Sequence, residues 1–478
     1  MEVAEHVVRG VSIEELFKRQ QEKALAMRTA PLADRKKKLK ALRDWIFTNR
    51  ARIQEAAYKD FRKPAAEVDG TEIFPVVSEI KLALAHLDEW AAPTKIDPPL
   101  TFIGTRSYIK AEPKGVCLII APWNFPFMLA IGPLVSAIAA GNTAFIKPSE
   151  MTPHTSAVIA TMVSTLYNPA EVTVAEGGAE VSRKLTSLPF DHIFFTGSPQ
   201  VGKLVMKAAA ENLTSVTLEL GGKSPAFVTR SARIEEAAER LAVGKFANCG
   251  QTCIAPDYVL ADKEIAEKLV EALKKKVIQR FAENNEPIEK SPHYARIVNE
   301  KHWLRLNGLL EDAIKQGAHL ATGGKVSKEE HFLDPTILTD VPLTARIMEE
   351  EIFGPILPVV AYSTLDEAIS IVNSKPKPLA LYVYSQSRHE QQQVLSRTSS
   401  GTAVINDNVV HFLNEHLPFG GVNNSGMGNA HGHYGFIAFS HMKPVMKQRN
   451  GMTSIKPLYP PYTPAKARLT NWLFKLFK

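Results

Sequence analysis

From Arg106 to Gly401 the chain alternates short, wholly apolar runs with stretches of helical periodicity. That pattern argues for βαβ units and a parallel sheet. Val116-Cys117-Leu118-Ile119-Ile120 reads as a buried strand, and Ala144-Phe145-Ile146 follows a helix ending at Gly141. Glu171–Ala175 and His192–Phe195 are further strands, each leading into a helical stretch. Val216-Thr217-Leu218-Glu219-Leu220 then meets Gly221-Gly222, a sharp break that reads as a domain boundary. A second α/β stretch begins near Ala226, with helix Ile234–Phe246, strand Tyr258–Leu260 and helix Ile265–Phe281. Ahead of all this, Ser12–Met27, Asp34–Asn49 and Ser78–Trp90 are helical in pattern, and Pro93, Pro98 and Pro99 end that region. Leu417–Ser440 is rich in Gly and Asn. At 478 residues the chain is too long for one ordinary core and implies two or three domains.

Apolar residues make up 45% and charged residues 22%, the balance of a soluble globular protein. Cys117, Cys249 and Cys253 are the three cysteines, an odd and sparse set that excludes a disulfide framework and points to a reducing, cytoplasmic setting. Met1–Gln20 mixes acids and bases without the apolar run of a signal peptide. No apolar stretch reaches the roughly 18 residues of a spanning helix. The net charge of +7 looks like a nucleic-acid signal, but eight basic residues and no acid follow His441, leaving 49 basic against 50 acidic residues in the body. The excess belongs to a tail, so no broad phosphate-binding face is expected and no nucleic-acid partner.

Cys253 lies in Cys249-Gly-Gln-Thr-Cys253-Ile-Ala-Pro256, where Gly250 breaks the preceding helix and Pro256 precedes a strand. A nucleophile held on a loop by a rigid scaffold suits catalysis, while burial as a small core residue is the commoner fate of a free cysteine. Cys249 and Cys253 lack the further ligands of a zinc site, so no metal is expected, and Cys117 inside an apolar strand reads as packing. Phe195-Thr-Gly197-Ser198-Pro-Gln-Val-Gly202-Lys203 matches a phosphate loop until Leu204 stands where Ser or Thr must hold magnesium. The turn still offers a helix N-terminus to a pyrophosphate, or is an ordinary strand-to-helix turn. Lys147-Pro-Ser149-Glu150 after a strand offers a donor and an acceptor for ribose hydroxyls, or a surface turn. No Gly-x-Gly-x-x-Gly follows a strand, so a standard dinucleotide fingerprint is missing. Glu219, ending a strand before Gly221-Gly222-Lys223, is either an acid/base group or the partner of Lys223.

Taken together and in order, these pieces resemble the aldehyde dehydrogenase superfamily over about residues 10–445. Pro122-Trp123-Asn124-Phe-Pro126 is similar to its oxyanion-asparagine motif, Lys147-Pro-Ser149-Glu150 to its adenosine-ribose motif, and Thr196-Gly197-Ser198 to its pyrophosphate turn. Leu218-Glu219-Leu220-Gly221-Gly is similar to the general-base motif, Gly250-Gln-Thr-Cys253 to the nucleophile motif, and Glu350-Glu351-Ile-Phe353-Gly-Pro355 to the nicotinamide-ribose motif. Leu417-Pro-Phe-Gly-Gly-Val-Asn-Asn-Ser-Gly426 matches the closing segment. The short N-terminus, Asn406-Asp-Asn-Val-Val-His411-Phe412 and Phe419–Gly428 resemble class 3, the fatty and aromatic aldehyde dehydrogenases.

The resemblance implies an α/β fold with a Rossmann-like parallel-sheet cofactor domain, a second α/β catalytic domain and a small β bridging and oligomerisation segment. It would divide the chain into 1–92 with 115–221 (cofactor), 222–416 (catalysis), 93–114 with 417–445 (bridging), and a basic tail, 446–478. It implies a Cys253 thioester, an oxyanion held by Asn124 and the Cys253 N–H, and hydrolysis through Glu219. NAD, with some NADP use, would lie on Pro122, Trp123, Lys147, Ser149, Glu150, Gly197, Ser198, Gly202, Leu220, Gly221, Glu351 and Phe353. Phe125 and Phe412 suggest an apolar funnel for an aldehyde, or core packing. A homodimer follows from class resemblance. An acylating enzyme that passes the thioester to coenzyme A is disfavoured by Glu219, and a catalytically silent protein by the intact set Asn124, Glu219 and Cys253.

The tail, Ala465–Lys478, places Leu469, Trp472, Leu473, Leu476 and Phe477 on one helical face among Lys466, Arg468, Lys475 and Lys478. Too short to span a bilayer, it suits attachment at a membrane surface, or docking on a partner subunit.

Overall fold

A computed structural model describes residues 11–99, 102, 104–284, 286–451, 453, 455–456 and 459–476. The charged stretch read at the N-terminus therefore falls partly outside the described residues, as do Phe477 and Lys478 of the tail.

The alternation read from the sequence folds into two mainly parallel sheets. The first has six strands in the spatial order Gly426–Met427, Ser215–Glu219, His192–Thr196, Val116–Ile120, Thr143–Lys147, Val172–Val174, parallel except for the first pair. Alternate side chains of one strand enter different cores, as the period-two geometry of a strand requires. Cys117 and Ile119 pack with Leu39, Val76, Leu134 and Ile159 on one face. Val116, Leu118 and Ile120 pack with Ile13, Phe17, Leu185 and Val205 on the other. Both faces are covered by helices, which is why the central strand Val116–Ile120 carries no polar residue.

The chain leaves the central strand Val116–Ile120 toward Val172–Val174, then returns to build the other side from His192. That reversal creates a crevice at the carboxyl ends of the strands, where open α/β sheets bind ligands. The second sheet orders seven strands as His319–Thr322, Thr336–Thr339, Ile356–Tyr362, Tyr258–Asp262, Pro225–Val228, Ala380–Tyr384, Thr402–Ile405, antiparallel only at its first pair. Its core includes Phe227, Leu260, Ile337, Leu357 and Val383. A third, antiparallel sheet joins Thr94–Ile96, Arg106–Pro113 and Ser440–Lys447, so the closing β segment runs two residues past the expected 445.

Helix Ile234–Phe246 lies where the periodicity placed it. The helix expected from Asp34 instead starts at Leu32, right after Pro31, and the one expected from Ser78 starts at Phe74, with Pro75 in its first turn. Proline there loses only an N–H that would be orphaned anyway. Helix Arg50–Phe61 was not anticipated; it stops at Arg62, which takes a left-handed conformation (φ 54°). Ser12, Asn299, Thr364 and Ser387 each accept a backbone N–H at a helix start. Among the described residues no helix is long and apolar enough to cross a membrane.

Candidate active site

Between helix Ile234–Phe246 and strand Tyr258–Asp262 the backbone makes an unusual excursion. Asn248, Cys249 and Gly250 have φ of 53°, 54° and 72° in succession. A Cβ on Gly250 would collide with the carbonyl of Gly354, so glycine is required for both conformation and space. Side chains lock the excursion in place. Asn248 Nδ2 donates to Asn124 O (2.8 Å) and Gln251 O (3.0 Å), and Gln251 Nε2 donates to Asn248 O and Arg296 O (both 3.0 Å). Cys253 follows this braced loop and is partly exposed, whereas Cys117 and Cys249 are fully buried. Cys249 Sγ lies 3.4 Å from Tyr294 Oη. The packing reading of Cys117 is the one the structure supports, and no metal-holding cluster exists among the described residues.

Asn124 is buried, and its Nδ2 donates to Gln251 O at 3.1 Å, two residues before Cys253. That leaves the second amide hydrogen for another acceptor. Glu219 ends its strand 4% exposed, with neither carboxylate oxygen hydrogen-bonded. Burial pushes its carboxyl well above the ordinary carboxylate range. The ion pair with Lys223 that the sequence left open is not formed. Lys223 Nζ binds Asp257 and the carbonyls of Ile347 (2.8 Å) and Glu350 (2.9 Å). Asp257 in turn accepts the Ile352 N–H at 2.9 Å, so the pair positions the 350–353 loop. Burial, then the negative charges of Glu351 and Glu219, push the Cys253 thiol up to about 12.

Cys253 and Glu219 line one cavity, together with Phe125, Leu220 and Phe412. Its wall also includes Phe74, Val76, Met128, Leu129, Val410 and Phe419. Phe125 and Phe412 are thus cavity-wall residues, although both also touch the core.

The remaining expected residues cluster at the carboxyl ends of the first sheet. Trp123 meets Phe353 edge to face (5.3 Å, 77°), bringing two motifs far apart in sequence into contact. A Cβ on Gly221 would strike the Glu351 carboxylate. Burial and then Asp257 push Glu351 to about 8. Gly202 lets helix Pro199–Ala210 pack on Leu220, where an added Cβ would sit 2.7 Å from Leu220 Cδ2. Ser198 caps that helix, accepting the Val201 N–H. The Gly197 N–H is used by the Glu219 carbonyl (3.0 Å), so any anion must be met by the first helical turn rather than by Gly197. Lys147 is buried at a strand end, not in a surface turn, and donates to Glu150 Oε2 (2.7 Å) and Pro148 O (2.9 Å). Ser149 is buried beside it, Glu150 is exposed, and Pro122 is half-buried. Lys147, Ser149, Glu150, Gly197, Ser198 and Gly202 do not line the Cys253 cavity. Val201 and Leu204, on the helix that Ser198 caps, are exposed.

Sequence reasoning missed the bracing residues Asn248 and Gln251, the buried pair Lys63–Glu72 beneath Phe125, and Glu79 and His431 in the cavity wall. The run Asn248-Cys-Gly250 was the one local signal, since Asn and Gly tolerate left-handed backbone.

The aldehyde dehydrogenase family model matches residues 8–445. A 4,4'-diaponeurosporen-aldehyde dehydrogenase of Staphylococcus aureus is 45% identical over 91% of this chain and 93% of its own. Aldehyde dehydrogenase family 3 member A2 of Mus musculus is 42% identical over 92% and 89%. The substrate-bound structure of Staphylococcus aureus AldH superposes with a TM-score of 0.93 at 43% identity, covering 97% of this chain and all of that one. The ordered motifs, the two-sheet fold and these likenesses agree: the chain belongs to the aldehyde dehydrogenase family.

Proposed function

We propose that this protein oxidises a lipophilic aldehyde to its carboxylic acid with reduction of NAD(P), using Cys253 as nucleophile, Glu219 as general base, and Asn124 with the Cys253 N–H as oxyanion donors. The observation that carries the reading is the shared apolar cavity of Cys253 and a Glu219 without hydrogen-bond partners. With its thiol pushed to about 12, Cys253 rests protonated and must lose its proton to react. Glu219, held above the ordinary carboxylate range, is the stronger base for that burial.

In this scheme the thiolate sulfur bonds to the aldehyde carbon as the carbonyl π pair moves onto oxygen, where Asn124 and the Cys253 N–H hold it. When bound, the nicotinamide supplies the hydride acceptor that brings the sulfur-linked carbon to the thioester level. Glu219 then takes a proton from water, the oxygen attacks the thioester carbon, and the thiolate leaves. The first sheet would hold the dinucleotide and the second would carry Cys253. Lys147 and Glu150 would face the adenosine ribose; a carboxylate there favours NAD, and Lys147 leaves room for some NADP use. The apolar wall favours aldehydes with long or bulky hydrocarbon bodies, in keeping with the substrate named for the diaponeurosporen-aldehyde relative.

The test is NADH formation across aliphatic chain lengths and aromatic aldehydes, with the product identified as free acid or acyl-CoA. We expect free acid from the parent and a loss of roughly 10³-fold or more in Cys253→Ala. Undiminished turnover in a folded Cys253→Ala would refute the scheme.

The dimer expected from class resemblance is part of the same proposal, as is membrane-surface attachment through the tail. Helix Pro464–Leu476 exposes Leu469, Trp472 and Phe474 and has no acid in its first turn. Deleting the residues after Tyr462 should abolish liposome flotation; unchanged flotation rules the tail out.

A further inference from the structure

The cavity leading to Cys253 is apolar along most of its length, yet Glu79 and His431 both line it. Glu79 stands on helix Phe74–Ala91 and is 9% exposed. Its Oε2 accepts the Gly432 N–H at 2.9 Å. Its Oε1 accepts no hydrogen bond. The nearest donor, His431 Nδ1, is 3.6 Å away, beyond bonding range. The His431 ring itself makes no hydrogen bond to any described residue; it stacks on Phe419 (5.0 Å, 20°) and meets Phe412 edge-on (4.8 Å, 80°). The backbone at this wall is strained, with φ of 73° at His431 and 58° at Val409, both cavity residues. A β-branched residue in that region is a genuine outlier, and such strain collects where a ligand is clamped. A buried carboxyl oxygen left without a hydrogen-bond partner is destabilising, and a ligand that supplies the partner relieves it.

We propose that Glu79 and His431 form a subsite for a hydroxyl group that the aldehyde carries at its end remote from the carbonyl. The hydroxyl hydrogen-bonds with Glu79 Oε1, as donor to the carboxylate or as acceptor from the protonated carboxyl, and its remaining polar site faces the His431 ring. Burial favours the neutral forms here, lifting Glu79 to about 7 and lowering His431 to about 4, which suits an uncharged hydroxyl better than an ammonium group. The proposal rests on the reading that the aldehyde reacts at Cys253, since that fixes which end of the substrate reaches this wall.

The test compares kcat/KM for matched pairs: ω-hydroxy-aldehydes of graded chain length against the unsubstituted aldehydes, and 4-hydroxycinnamaldehyde against 4-methoxycinnamaldehyde. In the parent we expect at least one hydroxylated member to be preferred by about tenfold or more, because a site built to bond a hydroxyl rejects the analogue lacking it. In Glu79→Leu that ratio should fall to about one, whereas Glu79→Gln, which still offers an acceptor, should keep most of it. A parent ratio near one throughout the series overturns the proposal, and so does a ratio that survives Glu79→Leu. Absence of NADH formation with every aldehyde would instead sink the dehydrogenase reading, so the two failures are separable.

Discussion

Lys63 and Glu72 form an ion pair with no access to water: Nζ to Oε1 is 2.9 Å, and both side chains are essentially fully buried. The other carboxylate oxygen, Oε2, accepts the N–H groups of Phe127 (2.9 Å) and Met128 (3.4 Å) at the start of helix Met128–Ala140. Lys63 Nζ also lies 4.0 Å from the Phe125 ring centroid. Glu72 belongs to a π-helical turn, Asp69–Ile73, that aims it there. The pair thus fixes the segment that presents Asn124 and Phe125. Lys63→Met leaves a buried carboxylate without its cation and should destabilise the protein by about 3–5 kcal/mol in urea unfolding. Adding Glu72→Gln should recover a substantial part of that loss; a fully additive double variant would show that the two residues are not coupled.

One amide hydrogen of Asn124 is held by Gln251 O at 3.1 Å, which leaves the other for the oxyanion proposed above. Asn124→Ala should lower kcat by about 10²–10³-fold, the usual effect of losing one such donor, with a much smaller change in KM. A drop of less than tenfold in single-turnover measurements would mean that Asn124 does not meet the developing charge.

The loop before Cys253 depends on Gly250, whose φ is 72° and whose α-carbon faces the Gly354 carbonyl. A methyl group has nowhere to go on that side, because the obstacle is backbone and not a mobile side chain. Gly250→Ala should cost roughly 2 kcal/mol or more in stability and reduce turnover as Cys253 is displaced. Loss of stability below about 0.5 kcal/mol, the scale of an ordinary surface change, would show that the loop relaxes freely.

What could be read in advance was whatever repeats along the chain or sits in a local motif. Val116–Ile120 had no polar residue because helices cover both faces of its sheet, and that is visible in five letters. Glu219 and Cys253 were marked by their neighbours, Gly221-Gly222 and Gly250. Partnerships across long separations were hidden. Lys223 reads as a natural mate for Glu219 four residues away, but it turns to Asp257 because the second sheet brings strand Tyr258–Asp262 beside Pro225–Val228. Glu79 reads as one more charge on an amphipathic helix until the fold places Gly432 against it. Lys63 and Glu72 look like surface charges in a helical region, and only the descent of helix Met128–Ala140 onto Glu72 buries them.

The charge state of Glu219 should separate stability from catalysis. Its carboxyl protonates at higher pH in the folded chain than in the unfolded one, where it titrates near 4.5. Over the interval between those values the folded state holds the extra proton, so stability falls as pH rises. The contribution is fully present below the unfolded value and is lost as pH climbs through the folded one. Gln cannot ionise, so Glu219→Gln should match the parent in stability near pH ~4 and become the more stable of the two as pH increases. Activity should move the opposite way. The parent should gain turnover with rising pH along an acid limb displaced above the ordinary carboxylate range, and Glu219→Gln should lack that limb and be slower by about 10²–10⁴-fold. Thermal unfolding and acid-release rates across pH 4–9 check both halves. A parent that grows more stable with pH relative to Glu219→Gln would mean that the carboxylate finds a partner in the folded protein, contrary to its hydrogen-bond-free burial at the cavity wall.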